Sequence, residues 1–228
     1  MPVLENLELQ IDADAVLHGQ GADPAVLRLR RPALVELAEQ AIQEGLPLVT
    51  PRVIYKTFEI RDVRHDLLKF AGGGQLSGKF ITQHLAQACQ VHVLLCSIGS
   101  SLERFADQKW SSSSVYSLAL DGVGSAAVEA LANAACRFLE EQALELGWKS
   151  SIPLSPGMVD WSVEEAQPQI FQLLKQEPLE VSLNSSLIMV PRKSLSMVVG
   201  IGPDMSITVR TCEYCNLRDV CRYKRQFA

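Results

Sequence analysis

Two groups of residues in this sequence carry chemistry by type and spacing. The first is Cys212-Glu213-Tyr214-Cys215 with Cys221 after five intervening residues, three thiols near one end of the given sequence. A C-x-x-C pair suits a single metal ion, and a third cysteine at short range adds to it, but a closed tetrahedral zinc site needs four ligands. His18, His65, His84 and His92 are the histidines from which the fourth could come. Three cysteines alone could instead hold an iron–sulfur cluster with one iron open. A pair of structural thiols or a disulfide is the plain alternative. Arg222, Lys224 and Arg225 stand beside these cysteines and favour their thiolates by lowering the pKa. Cys89, Cys96 and Cys136 stand singly in apolar segments, where cysteine behaves as a small hydrophobe.

The second group is polar and dispersed. Ser155-Pro156-Gly157-Met158 offers a hydroxyl and a Pro-Gly turn, which lets backbone groups approach a ligand closely. Asp121 and Glu129 lie on one helical segment with Gly122, Gly124, Ser125, Ala126 and Ala127 between them, a face almost without side chains. Such a face costs about 1 kcal/mol per glycine relative to alanine and permits close approach by a backbone or a ligand. Ser194 and Ser196 add two hydroxyls on a strand-like segment. Taken singly, a Pro-Gly pair is a turn and a helical acid is solvated. Together the segments offer what a small zwitterion needs, which predicts a cleft between them and a separate cysteine site. The Gly72-Gly73-Gly74 run has no Lys-Ser or Lys-Thr in P-loop spacing and reads as a turn.

Several elements must position these residues. Leu34, Leu37, Ala38, Ala41 and Ile42 follow the helical period between Pro32 and Gly45. Val53 to Ile60 reads as a strand. Ser77 is placed to cap a helix carrying Ile81, Leu85 and Ala88, before a buried strand from Val91 to Cys96. After the Gly99 turn, Ser100 and Glu103 have capping-box spacing. The serines at 111–114 open the longest helix, to about Leu146 and Gly147, and Ser162 with Glu165 opens another through Leu174. Strand-like segments follow at Leu179–Leu183, Leu187–Val190, Leu195–Ile201 and Ser206–Arg210. Helices interleaved with short strands, without strict alternation, predict an α+β fold around a twisted, mainly antiparallel sheet. A single domain over residues 1–228 is expected, with 211–228 as a cysteine-containing tail.

Composition narrows the function. The 228 residues are 47% hydrophobic and 21% charged, as in ordinary globular proteins. The net charge of -5, with Lys and Arg dispersed, gives no basic face for nucleic acid. The unbroken apolar runs fall short of the roughly 20 residues of a membrane span, and the first residues lack a signal-peptide pattern. A cytoplasmic location is expected.

Four segments carry a family resemblance: Pro153-Leu154-Ser155-Pro156-Gly157-Met158, Met189-Val190-Pro191-Arg192-Lys193-Ser194-Leu195-Ser196, Leu120 through Glu129, and Cys96-Ser97-Ile98-Gly99. In this order they resemble the activation (reactivation) domain of cobalamin-dependent methionine synthase, in a short free-standing form, from roughly His18 to Gly202. The resemblance implies a C-shaped α+β domain in which the Pro-Gly loop holds S-adenosylmethionine. It also implies a task. A corrinoid that has slipped to cob(II)alamin takes one electron from a flavodoxin-type donor, then a methyl group from S-adenosylmethionine. The implied partner is a corrinoid-binding methyltransferase or its cobalamin domain. No Asp-x-His-x-x-Gly signature surrounds the four histidines, so the chain is expected to act in trans on cobalamin carried elsewhere.

Departures from the family pattern fall within the motifs. Pro153 stands where the family loop begins with arginine, removing a bidentate grip on a carboxylate, and Met158 stands where it ends in tyrosine. Met197, Val198 and Val199 replace a glycine and an aromatic. Weak S-adenosylmethionine binding is therefore expected, strengthened by restoring arginine at 153 and tyrosine at 158, with Asp160, Arg192 and Lys193 as the charges available to compensate. Two alternatives stand beside this reading: a docking module without the methyl donor, and a redox protein using the C-terminal cysteines.

Overall fold

Side-chain alternation in three long strands decides the architecture. The computed structural model describes residues 3–4, 7–175 and 180–205. In it the β-branched run after Pro51 forms β2 (Arg52–Arg64), longer than the expected Val53–Ile60 because the strand changes partner. Residues 52–59 pair with β5 (Gln90–Ser97), and beyond a bulge at Ile60/Asp62 the strand pairs with β3 (Leu67–Phe70). The Gly72–Gly74 run turns β3 into β4 (Gln75–Ser77), with φ of 90° and 84° at Gly73 and Gly74. The expected Leu195–Ile201 strand becomes β9 (Ser194–Gly202), paired on β5 from Ser194 to Ile201. With β1 (Val3–Leu4) on β2 and β6 (Lys149–Ser150) on β9, the strand order is β4-β3-β2-β5-β9-β6, and every pairing is antiparallel. Within the Leu179–Leu183 and Leu187–Val190 segments, the described residues form a small ribbon, β7 (Ser182–Leu183) with β8 (Met189–Val190). The strand expected at Ser206–Arg210 and the metal candidates Cys212, Cys215 and Cys221 lie outside the described residues.

Period-2 alternation sends these strand residues to two faces. Val53, Tyr55, Leu94, Cys96, Met197 and Val199 face one core with α1 (Ala13–Gly19), α3 (Pro32–Gly45), α5 (Ser101–Trp110) and α6 (Ser114–Glu145). Val91, Val93, Leu95 and Val198 face a second core, closed by α4 (Lys79–Leu85), α7 (Val163–Leu174) and Trp161. The sheet is sandwiched between helices, which is how an antiparallel sheet hides both faces. Neither α1 nor α2 (Pro24–Arg30) was expected; Asp12 and Asp23 cap them, Asp12 accepting from the Ala15 N–H at 2.8 Å.

Two expected caps are employed elsewhere. Ser77 belongs to β4, and Gly78, at φ 135°, begins α4 without a side-chain cap. The Ser77 N–H donates to Gln169 Oε1 at 2.7 Å, and Gln169 Nε2 donates to Ser77 Oγ at 2.8 Å, clamping β4 to α7. Ser100 heads α5, but its hydroxyl takes a hydrogen bond from Arg104 and Glu103 is claimed by Arg192. At α6 and α7 the caps are as expected: Ser113 Oγ accepts from Tyr116 N–H and Ser162 Oγ from Glu165 N–H.

Helix α6 is the spine of the first core. Leu120, Leu131 and Leu139 are fully buried, each worth about 1.5–3 kcal/mol relative to exposure. Among the described residues it is long and apolar enough to cross a membrane by length and composition, and 67% of its most apolar window is buried inside the fold. Part of its small face is taken by α1: a Cβ at Gly122 would stand 2.8 Å from the Val16 carbonyl oxygen, and one at Gly19 would stand 2.8 Å from that of Gly122. The close approach foreseen for this face is therefore made by a backbone.

Gly122→Ala should lose stability despite a helix-propensity gain of about 1 kcal/mol. The obstacle is a carbonyl, which cannot rotate aside, and overpacking of this kind costs about 1–3 kcal/mol. A urea titration should show a lower midpoint; an unchanged or higher one would mean that α1 is not held this closely. His92 provides a pH test. It is buried at 6% exposure opposite Thr57, whose Oγ1 lies 2.9 Å from its Nδ1, and burial lowers its pKa to about 4. With an unfolded value near 6.5, the unfolded chain binds the extra proton first. Stability should then fall as pH drops from about 6.5 to about 4, by on the order of 3 kcal/mol at most. His92→Gln should flatten that part of the stability–pH curve.

Candidate functional site

A cleft of about 1180 Å³ runs along α6 from Ser125 to Glu141. At 1.5 Å per residue this is about 24 Å of helix. One wall is Leu7, Glu8 and Gln10 with Ala15 and Gly19 of α1; the other is Arg192 to Leu195, the entry into β9. Alternation builds the first wall: Leu9 and Ile11 pack on the core while Glu8 and Gln10 face the cleft, and Leu7 at its start touches both. On α6, Ala126, Ala130 and Ala134 give an apolar floor, with Ser125, Glu129, Asn133 and Arg137 beside it.

The second wall is held by charge. The Arg192 N–H donates to Glu103 Oε2 at 3.1 Å, its side chain also meets Glu103, and it reaches Asp107 at 3.4 Å, tying the strap to α5. Lys193 turns to α6: its Nζ lies 2.9 Å from Asp121 Oδ1 and 2.9 Å from Ser125 Oγ. Its stem crosses Gly124, where a Cβ would stand 3.1 Å from Cγ and Cε. An ion pair this accessible contributes about 0–1 kcal/mol, so its consequence is placement. Glu129 is open to the cleft, yet protein surrounds its carboxyl enough for desolvation to raise its pKa above the ordinary carboxylate value.

The structure brings Glu129 and Ser194 together at this cleft, with Asp121 beside it through Lys193. It does not bring in the Ser155-Pro156-Gly157-Met158 loop. Leu154 bridges Val198 at the outer edge of β9, with both backbone hydrogen bonds at 2.9 Å, and the loop then turns to the second core. Gly157, at φ 94°, makes the turn, and Met158, 7% exposed, packs there with Trp161. Loop and cleft border the same strand on opposite faces. Ser196 is tied to the loop's side, donating to Gln167 Oε1 at 2.9 Å. Ser194 Oγ donates to Ser97 Oγ at 3.0 Å and meets the Pro191 carbonyl at 2.9 Å, so both serines have partners inside the fold. Asp160 is exposed at φ 56°, in the turn before Trp161 and outside the cleft lining.

Histidine and cysteine are scattered among the described residues, where no three His, Cys, Asp or Glu side chains form a metal-binding group. His84 Nδ1 lies 2.8 Å from the Phe80 carbonyl, and His92 is engaged by Thr57. Burial pushes the Cys136 thiol up to about 11 and that of Cys96 higher still, as for the small hydrophobes expected. Cys89, expected to be one of them, is exposed because the chain turns at the surface between α4 and β5.

Comparison with known proteins bears on the backbone. A crystal structure of the MetH reactivation domain bound to AdoHcy matches over 99% of this chain and 86% of its own, with a TM-score of 0.61 at 13% identity. The fold is that of the MetH reactivation domain. No family model matches the sequence, and no curated protein matches it.

Sequence reasoning missed the N-terminal wall of the cleft, although the alternation Leu7-Glu8-Leu9-Gln10-Ile11 is a strand-like signal. It also could not place Lys193 against α6, since no local pattern marks a contact 68 residues apart. The geometry changes what the double substitution Pro153→Arg with Met158→Tyr should do. Tyrosine at 158 overfills the second core and should cost about 1–3 kcal/mol, read as a lower thermal midpoint. With the loop turned from the α6 cleft, ligand affinity should not rise; tighter S-adenosylmethionine binding by the double variant would move the ligand to the loop face.

Proposed function

We propose that this protein is an accessory reactivation factor for a corrinoid-dependent methyltransferase, presenting S-adenosylmethionine from the α6 cleft to cobalamin carried by a partner. The observation that carries the reading is the match of nearly the whole chain to a reactivation domain whose crystal structure is described as bound to AdoHcy, the demethylated form of that donor. The cleft supports it with a carboxyl and an apolar floor on α6 and a lysine on the facing strap. In this reading the corrinoid supplies the hard chemistry. One electron from a flavodoxin-type donor takes cobalt(II) to cobalt(I), whose electron pair accepts the sulfonium methyl and leaves the thioether AdoHcy. The protein binds the donor, orients it and excludes water. Such a factor works in the cytoplasm, beside the methyltransferase.

A second reading, a docking module that has lost the methyl donor, is favoured by one observation. Pro153 and Met158 replace the polar ends of the family loop, and Met158 is buried as core. Zinc or an iron–sulfur cluster at Cys212, Cys215 and Cys221 stays a proposal from spacing.

The test mixes the chain with a cob(II)alamin-loaded methyltransferase lacking its own activation domain, a reduced flavodoxin and S-adenosylmethionine. Addition of the chain should speed appearance of the methylcobalamin absorbance spectrum. Docking to the methyltransferase without faster methylcobalamin formation would favour the second reading, and neither docking nor faster formation would contradict both.

A further inference from the structure

Three sulfur-bearing side chains from three elements converge in the first core. Cys136 on α6 donates its Sγ–H to Met197 Sδ on β9, at 3.6 Å. Cys96 on β5 pairs with Leu195, two residues before Met197, so Cys96 and Met197 are diagonal neighbours on one face of the sheet. Both lie in the core that α6 closes, and Cys96 is within electrostatic reach of Cys136. The methyl-donor reading of the α6 cleft uses none of the three.

Two sulfurs held by one metal ion, each about 2.3 Å from it, stand about 3.8–4.0 Å apart. The Cys136–Met197 separation is slightly shorter, so rotation of the flexible methionine side chain admits an ion without moving the backbone. The donor set then selects the ion. Thiol and thioether sulfur are soft and favour Cu(I), whereas magnesium and calcium take oxygen ligands and zinc closes with four. Charge selects the same way. Cys96 is fully buried and Met197 is 4% exposed, where an uncompensated charge is costly, and one cuprous ion with one thiolate is neutral. Entry is through Cys136, the partly exposed member, about one helical turn from Asn133, which lines the cleft.

We propose that Cys96, Cys136 and Met197 form a site for a single cuprous ion. On binding, the Cys136 S–H bond breaks, its proton passes to solvent and a Cu–S bond takes its place. The Met197 thioether and the Cys96 sulfur complete a three-coordinate shell. Copper remains Cu(I), so no oxidant or reductant is consumed.

An anaerobic titration of the full chain with cuprous ion, supplied as its acetonitrile complex against the chelator bathocuproine disulfonate, tests this. Cys212→Ser, Cys215→Ser and Cys221→Ser, carried in every sample, keep the C-terminal thiols from competing. This parent should withhold one copper per chain, with only sulfur neighbours in its X-ray absorption spectrum. Met197→Leu conserves core volume and Cys136→Ser conserves size; each should weaken retention by about tenfold or more. Cys89→Ser, at an exposed cysteine outside the cluster, should leave retention unchanged. No retained copper, a nitrogen or oxygen neighbour in the shell, or parental retention in both Met197→Leu and Cys136→Ser overturns the site. Where a variant melts lower than the parent, the parent itself decides: copper should protect Cys136 from iodoacetamide, and labelling unaltered by copper overturns the proposal.

Discussion

Backbone-distance packing of α1 on α6 is the constraint from which the rest of the structure follows. Gly19 and Gly122 each stand where an added Cβ would meet a carbonyl oxygen at 2.8 Å. That contact fixes α1 against the spine helix. It also carries the preceding Leu7–Ile11 segment along the helix, where its apolar residues join the core. The same run of small residues, two positions on, gives Lys193 its seat over Gly124. One short stretch of α6 thus sets both walls of the cleft.

Charge then does what packing cannot. The strap entering β9 is pinned by Arg192 to α5 and by Lys193 to α6, from adjacent residues pointing to different helices. The pairs are partly solvated and add little stability. Their effect is to fix the strap as one wall of the cleft, across which Glu129 is enclosed enough for desolvation to raise its carboxyl's pKa. Beneath the strap the three long strands divide their alternate residues between two cores, so the Pro-Gly loop and the α6 cleft border one strand on opposite sides.

Much of the fold was legible because its signals are local. The periodic residues of α3, the β-branched run of β2, the apolar β5 and the serine caps of α6 and α7 each announce their element within a few positions. The caps misassigned at Ser77 and Ser100 share a cause: a side chain that suits a local cap found a tertiary partner, Gln169 in one case and Arg104 in the other. The candidate site was legible only in part. Asp121 and Glu129 were identifiable as acids bracketing a small-residue face. Whether the 155–158 loop met them depended on which face of β9 the chain crosses after Leu154, and no local pattern encodes that. Buried Met158 is the trace it leaves in the sequence, a methionine at the position where the resembled family loop ends in tyrosine.

The proposed ligand site lies on α6, between the N-terminal segment and the strap. Amide hydrogen exchange of the full chain with and without S-adenosylhomocysteine reads location directly. S-Adenosylhomocysteine should add protection in the α6 segment Ser125–Glu141 and at Arg192–Leu195, with the Ser155–Met158 loop and α7 unchanged. Protection confined to that loop and α7 would contradict it.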